Sequence, residues 1–359
     1  MKRLFQVTLG CLILGLHVVE ARAAFTSLYV FGDGVCTTTN SPGGPQFYGY
    51  RFSNGRVWVE VLAQRQGLPF DPNKNWSFFG HFSSLMLQHV TNSPAPADVA
   101  SALYVIWAND ADFVSFISQF DANSTKLSLW TNAMNQSLSN NFAAIQNLYQ
   151  KGARALVMPN VVDLMQVPFY VQLPAAEKNF IRARIAEYNL AFAARLNQAR
   201  AAFPNLVIYA PDIRSLLDDI LARPLDYGVN NAQDQGFNID ALSDPNLADK
   251  SLNGPGANYI FWEYLDPTAR VHAILADTVQ SLLLPPRVAS VSPVAASNTL
   301  QLVNLPVGLS GAVEAATNFT TWTAVASFNC TNAAQSILVP ATPPRWFYRL
   351  RFPFAWSWP

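Results

Sequence analysis

"SLYVFGDGVCTTTN", Ser27–Asn40, decides how the chain is read. Its first half is an unbroken apolar run, and its second half gathers Gly, Asp and Thr. An unbroken run, rather than an alternating one, is the pattern of a strand covered on both faces of a parallel sheet. Three further runs share the design: "ALYVIWAND" (Ala102–Asp110), "RALVMPN" (Arg154–Asn160) and "NLVIYAPD" (Asn205–Asp212). Each ends in Asp or Asn, at Asp33, Asn109, Asn160 and Asp212. Open parallel sheets hold their ligands at the carboxyl ends of strands. Asp and Asn are also ordinary turn and cap residues there, so both readings stand.

Helical patterns lie between the runs. Met134, Leu138, Phe142, Ile145 and Tyr149 form one apolar stripe, closed by Gly152. Ile181, Ile185, Tyr188, Phe192, Leu196, Ala199 and Phe203 form a second, at spacings of three and four. "DPTARVHAILAD" opens a last helix, with Asp266 as N-cap and Pro267 in its first position. Strand–helix alternation over residues 24–284 predicts an α/β domain with helices on both faces of the sheet. After Leu284 the pattern changes. "PPRVASVSPVAASN", residues 285–298, reads as a linker. "TLQLVNL", "GAVEAAT", "TWTAVASF", "QSILVP" and "FYRLRF" then predict a small all-β module over residues 299–359, with Trp322 as its core anchor.

Composition narrows the function. Half of the 359 residues are hydrophobic, 13% are charged and the net charge is zero. Nothing here suits nucleic acid or an anionic membrane surface. Lys2 and Arg3, an apolar run from Leu4 to Val19 and "ARA" at Ala21–Ala23 read as a signal peptide over residues 1–23. The run is short for a membrane span of ~20 residues. The expectation is a secreted, cell-surface or periplasmic protein with no transmembrane segment after cleavage. Cys36 and Cys330 read as isolated thiols, and His81, His89 and His272 are too sparse for a multi-histidine site. Neither a metal nor another cofactor is expected.

Several blocks, in order, carry a family resemblance. "VFGDG" resembles "VFGDS", the first block of the SGNH/GDSL hydrolases. "RFSNGRVWVEVLA" (Arg51–Ala63) and "NWSFFGH" (Asn75–His81) follow. "VIWANDADF" resembles "VWAGANDF", "MPNVVDL" resembles "VPNLPDL", and "YIFWEYLDPTARVH" resembles "LFWDGFHPTARAH". The resemblance covers residues 25–284 and implies a three-layer α/β/α, flavodoxin-like fold with esterase, lipase or acylhydrolase activity. Its mechanism uses a block-one Ser nucleophile, a His base, and an Asp three residues before that His. The Ser backbone, a Gly and an Asn form the oxyanion hole.

Carried over by position, the Ser slot holds Gly34, the His slot Asp266 and the Asp slot Glu263. Gly80 and the Asn109 amide fall on the oxyanion positions. With the nucleophile and its base both replaced, the expectation is a pseudoenzyme that binds a small molecule, an acyl ester or an acylated glycan. Two other readings stay open. Substitute groups would make an active hydrolase: Cys36 or Thr37 assisted by His81, or a carboxylate pair among Asp33, Glu263 and Asp266 acting on an ester or glycosidic bond. Alternatively, the β module works in surface adhesion. The aromatics Trp58, Trp76, Phe78, Phe79, Phe82 and Trp107 lie in blocks expected near the pocket. Oligomeric state is open.

Overall fold

A computed structural model describes residues 25–39, 43–341 and 347–352; the signal peptide expected over residues 1–23 lies outside the described residues. The apolar runs form β1 (Leu28–Gly32), β2 (Leu103–Trp107), β3 (Ala155–Val157) and β4 (Val207–Tyr209), paired in parallel in the order β1-β2-β3-β4. On the free side of β1, Val30 makes one parallel bridge with Asn75, and the Trp76 N–H donates to the Val30 carbonyl at 2.9 Å. A short loop thus covers that edge.

Side-chain alternation explains the unbroken runs. Tyr29, Phe31, Tyr104 and Ile106 enter one apolar cluster, while Leu28, Val30, Leu103, Val105 and Trp107 enter another on the opposite face. The first is closed by α2 (Ser83–Asn92), α4 (Leu127–Lys151) and α5 (Ala175–Ala202). The second is closed by α1 (Trp58–Arg65) and α7 (Ala269–Leu283). α3 (Asn109–Gln119) and α6 (Ile213–Ala222) follow β2 and β4 at their carboxyl ends. Both predicted stripes face the core: Met134, Leu138 and Ile145 are buried on α4, and Ile181 through Ala199 on α5. Gly152 closes α4 at φ 110°, and a Cβ there would meet Val99 Cγ1 at 2.9 Å, so both conformation and space call for glycine. This is the three-layer α/β/α arrangement that the blocks imply. A two-residue hairpin, β5 (Gln233–Asp234) with β6 (Phe237–Asn238), lies on the surface before α7.

Two three-stranded antiparallel sheets follow. One has the order β11-β8-β7 and the other β10-β9-β12. The strands are β7 (Arg287–Val294), β8 (Ser297–Val303), β9 (Ser310–Ala316), β10 (Thr323–Asn329), β11 (Ala334–Pro340) and β12 (Phe347–Arg351). Leu300, Leu302, Leu305, Val313, Cys330, Val339 and Phe352 form their common core. Two expectations need correction. Residues 285–298 are not a linker throughout, because β7 occupies most of them; it is an exposed edge strand, the one place where Pro293 is tolerated. Trp322 is not the core anchor: it stands outside the cluster, with the Arg349 guanidinium 4.3 Å from its ring.

These sheets sit on the outer helices of the α/β unit. Arg65 of α1 pairs with Asp277 of α7 at 2.5 Å and donates to the Val307 carbonyl at 3.0 Å. Gln66 and Gln280 join the same two helices by a short side-chain hydrogen bond.

Candidate active site

At the carboxyl end of β1 the chain turns sharply. Asp33 caps a single 3-10 turn, Gly34–Cys36, its carboxylate accepting the Val35 N–H at 3.3 Å. A Cβ placed on Gly34 would lie 3.7 and 3.8 Å from the two carboxylate oxygens of Asp266, and 3.4 Å from Phe79 Cδ2. The nucleophile slot and the base slot therefore face each other in this fold, although neither holds the expected side chain. Gly34 offers no nucleophilic atom.

The two slots open on a cavity of about 350 Å³ between the ends of β1 and β2 and helices α3 and α6. Asp33, Gly34, Gly80, Asp110 and Asp266 form its acidic end; Val114, Leu164, Leu217, Ile220 and Val271 line its apolar walls, with Ser115, Ser118 and Gln119 of α3 also on the lining. Phe79, 47% exposed, stands at the boundary with solvent. Among the described residues lining the cavity there is no Lys, Arg or His.

The acids are buried and crowd one another. Burial pushes the Asp33 carboxyl up to about 7. Burial, and then the neighbouring Asp33, push Asp110 well above the usual carboxylate range. Asp266, 3% exposed, is raised by burial first and then by Glu263, Asp33 and Asp110. Glu263 is raised by burial as well. Its Oε1 accepts the N–H groups of Leu265 and Asp266, at 3.0 and 2.8 Å, so it closes the turn and lines no cavity wall.

Asp266 differs from its sequence reading. α7 starts at Ala269 with Thr268 as N-cap, and the Ala269 N–H is taken by Asn54 Oδ1 at 2.8 Å. Asp266 therefore caps no helix. Its Oδ1 is buried with no hydrogen-bond partner among the described residues.

Other sequence candidates are not brought to the cavity. Asn109 is 1% exposed, and its amide donates to the Pro159 carbonyl at 3.0 Å. Asp110 and Ala111 face the cavity instead. An ungapped match of "WANDADF" to "WAGANDF" carries this signal: it keeps Trp107, Ala108, Asp112 and Phe113 in place and sets Ala111 against the family's Asn. His81 follows Gly80, whose φ of +77° is left-handed, and its ring turns away. It contacts the Gly32 carbonyl at 2.7 Å and His89 at 2.9 Å, stacks on Phe78, and burial lowers its pKa to about 4. Cys36 accepts the Trp58 indole N–H at 3.2 Å, and burial holds its thiol well above its usual range, so it is no thiolate. His272 Nδ1 accepts the Trp58 backbone N–H at 3.2 Å, a packing role. Both described cysteines are free. Among the described residues no group of three or more His, Cys, Asp or Glu is disposed to hold a metal ion, and no helix is long and apolar enough to cross a membrane.

The family model described as GDSL-like Lipase/Acylhydrolase matches residues 28–279. Among curated proteins, the chain is 22% identical over 233 residues to the thermolabile hemolysin of Vibrio parahaemolyticus, covering 63% of this chain and 54% of the hemolysin. The match thus spans about half the length of that relative. It is 20% identical over 348 residues to the phosphatidylcholine-sterol acyltransferase of Aeromonas hydrophila, covering 79% of this chain and 97% of that protein. Among solved structures, a lipase from a goat rumen metagenome superposes with a TM-score of 0.43 at 11% identity, over 72% of this chain and 97% of that one. The family match spans well over half of the chain and includes both the Gly34 turn and the Asp266 loop, so the chain belongs to the GDSL-like lipase/acylhydrolase family.

Proposed function

We propose that this family member is a secreted binding protein for acyl compounds, and that it forms no acyl-enzyme. One observation carries the reading: the nucleophile slot is a glycine backbone, and the group facing it is the Asp266 carboxyl rather than an imidazole. Ala111 in place of the oxyanion amide extends the loss to a third position of the family's machinery. What remains is a mostly apolar cavity of about 350 Å³, suited to a hydrocarbon chain. The basic and apolar N-terminus supports export with cleavage after Ala23. The division that accompanies this reading is a hydrolase-like unit to about residue 284, followed by the β-sandwich.

Two assays test it. Purified protein is expected to release no p-nitrophenol from p-nitrophenyl butyrate above the buffer rate. Turnover that disappears in Asp266→Asn would instead favour a hydrolase with substitute groups. In calorimetric titrations with methyl esters of rising chain length, affinity is expected to grow about fourfold per methylene, as burial of about 0.8 kcal/mol each implies. A flat series would contradict an acyl-holding cavity.

A further inference from the structure

The polar end of the cavity carries ionisable groups of one kind, carboxyls. Asp33, Asp110 and Asp266 line it with no basic side chain beside them. The family's imidazole and amide serve a developing negative charge; the Asp266 carboxyl in the imidazole's place opposes one, and Ala111 in the amide's place offers no donor. Asp266 also presents a buried acceptor, Oδ1, that no donor among the described residues satisfies, on the side that Gly34 leaves open.

We propose that the cavity takes a lipophilic ammonium ion, whose N–H group donates to Asp266 Oδ1 while its hydrocarbon chain lies along Val114, Leu164, Leu217 and Ile220. The inference rests on the reading above that this cavity holds an apolar chain, and it names the head group. Acids crowded in a low-dielectric site repel one another when ionised, and a cation among them relieves that repulsion. A buried cation in turn needs both paired charge and hydrogen bonds, and the site supplies both. The same arrangement excludes an alkyl sulfate by like charge and gives an alcohol only a hydrogen bond. A quaternary ammonium keeps the charge and loses the N–H.

Calorimetric titration of the whole protein near neutral pH, with octylamine, octyltrimethylammonium, octanol, octyl sulfate and methyl octanoate, tests this. Octylamine is expected to bind at least about tenfold more tightly than octanol or methyl octanoate, with octyltrimethylammonium between them and octyl sulfate weakest. In Asp266→Asn the octylamine affinity is expected to fall to that of octanol measured on the same variant. Asp110→Asn serves the same purpose if the first variant fails to fold. Octanol and methyl octanoate binding as tightly as octylamine would overturn the inference and leave the acyl-binding reading standing. Octyl sulfate binding most tightly would overturn it too. Failure of every octyl compound to bind would overturn both.

Discussion

At Asp266 a carboxyl group 3% exposed stands with one oxygen unpaired, in a position where a helix cap would have been an ordinary explanation. Asn54 Oδ1 takes the Ala269 N–H, and Thr268 holds the N-cap position, so helix capping gives no account of this residue. Buried acids carry a cost that depends on pH. Asp33 rises from 3.8 to about 7, so between those values the folded state holds a proton that the unfolded chain releases. Its contribution is therefore full below pH 3.8 and is lost as pH rises through about 7. The loss is on the order of 4 kcal/mol for a shift of this size. Asp33→Asn is expected to flatten that slope and to raise the melting temperature near neutral pH, measured by calorimetry across the range. A slope unchanged by the substitution would contradict the assignment. Gly34 and Asp266 were legible in the sequence because each sits at a fixed place in a block. The cavity-facing roles of Asp110 and Ala111 were not: "WANDADF" holds two aspartates and one asparagine, and only the helical turn of α3 decides which side chain faces in. His81 was misplaced for a related reason, since a left-handed glycine before it redirects the chain.

At the scale of elements, β1 to β4 were legible because both faces of the sheet are covered, which leaves no polar alternation to confuse the pattern. β7 was not, because an edge strand exposed along most of its length carries proline and small residues and has no apolar face to announce it. The start of α7 was read early because Asp-Pro is a common helix opening, whereas tertiary hydrogen bonds from the Ala269 N–H to Asn54 Oδ1 and from the Thr268 hydroxyl to the Tyr259 carbonyl fix the true start. Between elements the Arg65–Asp277 pair matters most, because it is buried and also reaches Val307 of the β-sandwich. Arg65→Ala leaves the Asp277 carboxyl buried without its partner and is expected to cost about 3–5 kcal/mol in urea unfolding. Arg65→Met with Asp277→Leu is expected to recover most of that loss. A cost below about 1 kcal/mol for the single variant would mean that the pair behaves as an exposed one.

On the scale of the molecule, the parallel sheet, the covering helices and the loop that brings Asp266 to within 3.8 Å of the Gly34 Cβ position keep the geometry of an esterase. On the reading proposed above, the side chains that would use that geometry have changed together: nucleophile, base and oxyanion amide. The fold was legible because several weak blocks in one order leave few alternatives. The change in charge character was not, since it depends on which acids converge in three dimensions. The most direct measurement is intact-mass analysis after treatment with an alkyl fluorophosphonate, which marks any activated nucleophile. The account predicts no adduct on the natural protein and a single adduct at position 34 in the variant combining Gly34→Ser with Asp266→His. A stoichiometric adduct on a cavity residue of the natural protein would contradict it.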